Sequence, residues 1–177
     1  MITINDKTFE MFITNDEINF AIDQLVRQIE DDYHFEKPIF IGVLNGAFMF
    51  VADILKKYQH ACEIQFVKMS SYSGTSSTGQ VDELIGLNTN LEGRTVIILE
   101  DIVDTGNTIV KLRELFKNQG AKKVRIATLF FKPEVYDKDI KIDYVGIRIP
   151  DKFIVGYGLD YNELGRNLPN VYCLINH

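Results

Sequence analysis

The sequence predicts an α/β fold in which a central parallel sheet is flanked by helices. Apolar runs of strand length alternate along the chain with segments whose apolar residues recur at helical spacing. The connections between these segments are short, so strand–helix–strand units with right-handed crossovers are expected. The 177 residues are 46% hydrophobic and 25% charged, which is enough chain for a real core, and we expect a single domain over residues 1–177.

The first half of the chain begins with a helix signal and continues with alternating strands and helices. Thr14 and Glu17 match a capping box, and the apolar residues that follow them at helical spacing predict an amphipathic helix. The elements predicted next are a buried strand over 38–44, a turn at 45–46, a helix over 47–58 and a strand over 62–69. Residues 70–80 are so rich in Ser, Thr and Gly that we expect a mobile loop there.

The second half repeats the pattern and then departs from it. Four consecutive apolar residues at 96–99 predict a strand buried on both faces of the sheet, and Ile109, Leu112 and Phe116 recur at helical spacing after it. Strands are also predicted over 124–131 and 142–149, each followed by a proline. Residues 150–177 fit this pattern poorly.

Net charge, cysteine content and hydropathy limit the partners and the location that the sequence suggests. The net charge of −6 argues against a broad surface for nucleic acid or membrane, so we expect neither as a partner. Cys62 and Cys173 lack metal-ligand spacing, which predicts neither a zinc site nor a disulfide framework. The first residues lack an export signal and no apolar run is long enough to span a bilayer, so we expect a cytoplasmic protein.

Residues 100–108 carry the clearest functional signal. Glu100 and Asp101 end a buried strand, where open α/β sheets bind ligands, and they can accept hydrogen bonds from sugar hydroxyls or hold a hydrated cation. Residues at a helix start offer free backbone N–H groups to a phosphate, and four such residues follow: Thr105, Gly106, Asn107 and Thr108. This combination predicts a phosphorylated sugar bound with a metal ion.

A simpler interpretation of this segment is an ordinary loop that caps its helix, with Asp104 as the N-cap. Three acids within five residues favour the functional interpretation, because like charges need a cation or a polar ligand beside them.

The segment Glu-Asp-Ile-Val-Asp-Thr-Gly-Asn-Thr resembles the phosphoribosyl-diphosphate (PRPP) motif of type I phosphoribosyltransferases of the hypoxanthine-guanine branch. This resemblance implies a parallel sheet with a small hood formed by the N-terminal and C-terminal segments, the latter at about 150–177. It also implies a purine-salvage pentosyltransferase (class 2.4.2) that moves a 5-phosphoribosyl group from PRPP to N9 of hypoxanthine or guanine. Mg²⁺ would be the cofactor, and a homodimer or homotetramer the assembly.

Residues 150–177, which we call the tail, extend the resemblance. Pro-Asp-Lys-Phe-Ile-Val-Gly-Tyr at 150–157 is similar to the family's characteristic Pro-Asp-Lys-Phe-Val-Val-Gly-Tyr stretch. The match implies that Phe153 stacks on the purine, that backbone groups of Ile154 or Val155 contact the base edge, that Asp160 binds magnesium and that Arg166 faces the diphosphate. The simpler interpretation is a closing strand pair whose aromatic side chains fill the core, which suits three of them: Tyr157, Tyr161 and Tyr172.

Two further segments match the family. Residues 44–50 resemble its diphosphate-binding turn, which assigns Asn45 and Gly46 to the diphosphate, and Ser71-Tyr72 resemble the start of its closing loop. Many relatives have Lys where this chain has Asn45, so backbone N–H groups and an amide would replace a fixed charge. The family's peptide bond at this turn can be cis.

The reaction that the resemblance implies assigns two further roles. Asp104 is the candidate proton acceptor, since it projects from the loop that would hold the 5′-phosphate. Lys132 can donate to the purine 6-oxo group, although a solvated lysine is the ordinary interpretation. His34, His60 and His177 fall in no motif, which argues against histidine catalysis.

Two other classes of protein share some of these features. A PRPP-sensing regulator that binds nucleic acid would need a basic face, which this acidic chain does not suggest. A generic nucleotide-binding or receiver-type domain would explain the acids and the strands but leaves the tail, the Ser-rich segment and Lys132 unexplained.

Overall fold

The computed structural model describes residues 1–70 and 83–175, which form two sheets and three helices. In chain order the described elements are β1 (Ile2–Ile4), β2 (Lys7–Ile13), α1 (Asn15–Tyr33), β3 (Ile39–Val43), α2 (Phe48–Lys57), β4 (Glu63–Ser70), β5 (Glu83–Ile85), β6 (Thr95–Val103), α3 (Asn107–Asn118), β7 (Lys123–Phe131), β8 (Tyr144–Arg148), β9 (Ile154–Val155) and β10 (Val171–Leu174). The predicted strands and helices are all present, with most bounds shifted by one or two residues, and β6 continues four residues beyond the apolar run at 96–99. Among the described residues, no helix combines the length and the apolar character that crossing a bilayer requires.

The larger sheet has the strand order β5-β4-β3-β6-β7-β8. Neighbouring strands run parallel except for β5, which pairs antiparallel with β4. The chain therefore builds the sheet outward from β3 in one direction and from β6 in the other. The predicted α/β class with a central parallel sheet is confirmed.

Helices cover both faces of this sheet. The capping box of α1 is present: Thr14 N donates to Glu17 Oε2 at 2.8 Å, and Glu17 N donates to Thr14 Oγ1 at 3.3 Å. The apolar faces of α1 and α2 pack on one side of the sheet, and the face of α3 formed by Ile109, Leu112 and Phe116 packs on the other. Every strand residue at 96–99 is fully buried, as the apolar run predicted.

The second sheet is antiparallel, with the order β1-β2-β10-β9, and we call it the hood sheet. The chain's first strands supply half of it and the tail supplies the rest, which confirms the expected hood. Phe9 and Tyr172 are buried in its own small core, and Tyr157 is buried in the core that α1 and α2 share with the parallel sheet. Tyr161 is half-buried beside the hood core, so these tyrosines do fill apolar space as the simpler interpretation held.

Candidate active site

The candidate site lies where β3 and β6 end side by side. These two parallel strands are neighbours in the sheet, although the chain leaves them in opposite directions. Open α/β sheets bind ligands at such a switch point, outside the carboxyl ends of the strands. The turn at Asn45-Gly46 follows β3 and the loop at 104–106 follows β6, so both predicted phosphate-binding segments are brought to this edge.

The loop after β6 ends at Gly106, where α3 begins. Gly106 is the N-cap, with φ +79°, and no side chain caps the helix. The interpretation of Asp104 as the N-cap is therefore wrong, because the helix begins two residues later. Thr105 and Thr108 flank this start, and α3 has no acidic residue in its first turn. The free N–H groups there favour an anion.

Two carboxylates stand at the end of β6 in contrasting surroundings. Glu100 is buried, and its Oε2 atom has no hydrogen-bond partner. Burial, and the nearby charge of Asp101, hold the pKa of Glu100 well above its usual range. Asp101 accepts from Ile102 N at 2.9 Å, yet burial raises its pKa to about 6. Both groups gain from the arrival of a cation or of hydrogen-bond donors, since either favours the ionised form.

The turn after β3 is closely packed against its neighbours. The Leu44–Asn45 peptide bond is cis, a form that the family resemblance allowed. A Cβ on Gly46 would lie 1.6 Å from Asp101 Oδ2, and a Cβ on Gly158, whose φ is +98°, would lie 2.0 Å from the Gly46 carbonyl oxygen. The turn at Asn45-Gly46 is thus packed closely between Asp101 of β6 and Gly158, and only glycine fits at either contact.

Lys132 lies at the end of β7 and is held by two carboxylates. Its Nζ is 3.2 Å from Asp104 Oδ2 and 2.9 Å from Asp151 Oδ1. The Lys132 side chain is only 8% exposed, so it is not the solvated lysine of the ordinary interpretation. Burial alone would lower the pKa of Lys132, but the hydrogen bonds with Asp151 and Asp104 outweigh it and raise the pKa.

Asp151 is the site residue that the sequence analysis missed. It stands in the tail segment already singled out, two residues before Phe153, but its position gave no sign that it would reach Lys132. That contact joins residues 19 positions apart and depends on how the hood sheet meets the parallel sheet.

The ring of Phe153 is only partly covered by the rest of the protein. It is 48% exposed, while its ring lies 6.0 Å from Tyr161 in an edge-to-face contact and 6.4 Å from Phe9. A hollow of about 520 Å³ beside it is lined by Glu10, Asp151, Lys152, Phe153, Leu174 and Ile175. Ile154 and Val155 form β9, the edge strand of the hood sheet, so one side of their backbone has no strand partner among the described residues.

Asp160 and Arg166 pair with each other. Arg166 Nη2 is 2.7 Å from Asp160 Oδ1, and Arg166 Nη1 donates to the Gly158 carbonyl oxygen at 2.8 Å. Within residues 1–70 and 83–175, no group of three or more His, Cys, Asp or Glu residues converges as a ready metal cage. Ser71 and Tyr72, and most of the predicted loop at 70–80, lie outside the described residues.

Comparison with known proteins agrees with this geometry. The model of the phosphoribosyl transferase domain matches residues 10–162. The hypoxanthine-guanine phosphoribosyltransferase of Streptococcus mutans is 45% identical over 166 residues, which cover 93% of this chain and 92% of that protein.

Two solved structures share the fold. A hypoxanthine-guanine phosphoribosyltransferase from Bacillus anthracis, crystallised with HEPES in its active site, has a TM-score of 0.87 at 34% identity and covers 96% of this chain and 100% of its own. A hypoxanthine phosphoribosyltransferase from Staphylococcus aureus has a TM-score of 0.86 at 39% identity, and the match covers 97% of this chain and 93% of that one. The matched segment spans both sides of the site, and the chain belongs to the phosphoribosyl transferase family.

Proposed function

We propose that this chain is a purine-salvage enzyme that transfers the 5-phosphoribosyl group of PRPP to N9 of hypoxanthine or guanine, releasing diphosphate. The observation that carries the proposal is the contact between Lys132 and Asp104, since it sets a donor for a 6-oxo group beside a proton acceptor. The phosphate-binding start of α3 lies two residues beyond Asp104. The names of the relatives described above favour this transferase over the PRPP-sensing regulator.

The ribose phosphate would be held at the end of β6. Backbone N–H groups at the start of α3 bind the 5′-phosphate, and the hydroxyls of two threonines add donors. Glu100 and Asp101 accept hydrogen bonds from the ribose hydroxyls, which supplies partners to carboxylates that burial otherwise disfavours. The residues assigned to the phosphate are Thr105, Gly106, Asn107 and Thr108.

The purine would lie between the loop after β6 and the hood sheet. The exposed side of Phe153 stacks on the base, and Lys132 donates to its 6-oxo group. Backbone groups of Ile154 or Val155, on the open edge of β9, contact the base edge. Asp104 accepts the proton that the purine loses as N9 attacks the anomeric carbon. No protein nucleophile is required.

The leaving diphosphate needs its charge neutralised. Asn45 and Gly46 offer backbone N–H groups and an amide, and Arg166 offers a guanidinium from the tail. Ser71 and Tyr72, outside the described residues, are proposed to help keep water from the reacting carbon.

Enzymes of this family generally use magnesium, and the oxygen donors of this site suit a hard cation. Asp160 is the proposed protein ligand on the diphosphate side, with Glu100 and Asp101 on the ribose side. The buried Glu100 Oε2 atom, which lacks a partner, supports the fit. Among residues 1–70 and 83–175, too few carboxylates converge for an all-protein cage, so substrate oxygens would complete the coordination. When bound, Mg²⁺ would neutralise charge on the departing diphosphate.

Asp160→Ala should raise the magnesium concentration for half-maximal rate by roughly 10-fold or more, because a carboxylate ligand is lost. Glu163→Ala is the matched control, since it removes the other acid that contacts Arg166 but leaves Asp160 in place. Rates are measured against free magnesium at saturating PRPP. An unchanged titration would mean that substrate, or Glu100 with Asp101, holds the ion without Asp160.

The activity itself is tested by following diphosphate release from PRPP when hypoxanthine is added. Rapid release with formation of the nucleotide supports the proposal. Binding of PRPP without release would instead identify the regulator, and no binding of PRPP at all would leave a generic nucleotide-binding domain.

We also propose that residues 1–177 act as one domain, in the cytoplasm, as a homodimer or homotetramer. The two free cysteines, Cys62 and Cys173, suit a reducing compartment. The aromatic rings of Phe20 and Phe35 are exposed, and pairing with a second copy would remove their apolar surface from water. Analytical ultracentrifugation of the purified chain gives the assembly.

A further inference from the structure

Lys132 has more carboxylate partners than recognition of a base requires. Its ammonium group has three N–H donors, and Asp104 and Asp151 each take one. The third donor remains for a substrate oxygen. Asp151 is itself 55% exposed and makes no hydrogen bond other than the one to Lys132 among those identified in the described chain, so its role is to be sought at that lysine.

Asp104 has two proposed partners. Its Oδ2 atom lies 3.2 Å from Lys132 Nζ, and in the proposed function the same carboxylate accepts the purine proton. When Asp104 turns to the base for that proton, it gives up its contact with Lys132. Lys132 then retains a single carboxylate, and that carboxylate is Asp151.

We propose that Asp151 is a positioning residue: it holds the Lys132 ammonium in place for the 6-oxo group while Asp104 accepts the purine proton. The inference rests on the proposed function and adds a residue to it. Without Asp151, the nearly buried ammonium would lack a partner and would move toward water or toward Asp104. Either movement withdraws the donor from the base.

Asp151 also links two parts of the base site. Ile149 N donates to the Phe131 carbonyl oxygen at 2.8 Å, which fixes the tail against the end of β7. Two residues later Asp151 contacts Lys132, and two residues after that Phe153 offers its ring. The contact thus ties Lys132, just beyond β7, to the segment that leads into Phe153 and β9, and the proposed function brings both residues to one purine.

Asp151→Asn should lower kcat/KM for hypoxanthine by roughly 10- to 100-fold, the range expected when a charge-assisted hydrogen bond is lost. The loss should fall mainly on the KM for the base, with the KM for PRPP unchanged, and Asp151→Glu should recover part of it. Asp31→Asn, the same chemical change at an exposed position of α1, is the control. Thermal unfolding shows whether Asp151→Asn is folded. If it is not, Asp151→Ser is measured in its place.

A double-mutant cycle with Lys132→Gln decides whether Asp151 acts through Lys132. If it does, Asp151→Asn should cost little in the Lys132→Gln background, so the two losses are strongly non-additive. Additive losses, or an unchanged kcat/KM in Asp151→Asn while Lys132→Gln is impaired, would overturn this proposal and leave the proposed function standing. A wild-type chain that does not use hypoxanthine would overturn both.

Discussion

Asp104→Asn should lower turnover by roughly 10²- to 10⁴-fold, the usual effect of losing a general base, while PRPP binding changes little. Asparagine keeps the size of the side chain but cannot take the purine proton. Because Gly106 rather than Asp104 is the N-cap of α3, the substitution removes no helix cap. The Asp104 side chain is also 47% exposed, so thermal stability should stay close to that of the wild type.

The measurement is the chemical step in a rapid-quench experiment, with PRPP affinity determined separately. Equal PRPP affinity and a slow chemical step would identify Asp104 as the proton acceptor. A chemical step near the wild-type rate would remove Asp104 from the mechanism and point to solvent as the acceptor.

Lys132→Gln should narrow the preference for hypoxanthine over adenine. An ammonium can only donate, so it suits the 6-oxo acceptor and opposes the 6-amino donor of adenine. Sites built on such polar contacts discriminate by on the order of 10⁴-fold. Stacking on Phe153 offers no comparable difference, since both purines present a similar ring. The amide of glutamine also accepts, and activity with hypoxanthine should fall more than activity with adenine.

The comparison requires kcat/KM for both bases in the wild type and in the variant. Lys117→Gln, the same change in the last turn of α3, controls for lost positive charge. An unaltered ratio would show that the base is selected elsewhere, and the backbone around Ile154 would become the leading candidate.

The parallel core could be predicted from sequence because its signals are local. The capping box at Thr14 and the apolar run at 96–99 each specify an element without reference to the rest of the chain, and both were confirmed. The strands β1 and β2 were not predicted as elements. In β2 the burial of successive residues does not alternate regularly, since Phe9 packs in the hood core and Ile13 in the core under α1, while Met11 between them is exposed.

The site could be predicted in part for the same reason. The acids and small residues at 100–108 are contiguous, so their position at one strand end followed from the sequence. Two contacts in the site join segments that are distant in sequence, and no local pattern predicts them. Lys132 contacts Asp151, and Gly158 packs against Gly46. The assignments of Asp160 to metal and Arg166 to diphosphate remain predictions.

The hood sheet has a consequence for the order in which the molecule is completed. Its strand β10 lies between β2 and β9, and Val171 pairs with Ile13 across almost the whole length of the described chain. Contacts of such large sequence separation form late, since a long loop must be closed first. All described strands of the parallel sheet lie before residue 149, whereas the hood sheet cannot be completed until residues 171–174 have been synthesised. The hood sheet, whose strand β9 is proposed to contact the purine, is therefore completed after the parallel sheet, which leads into the helix start proposed to bind the 5′-phosphate.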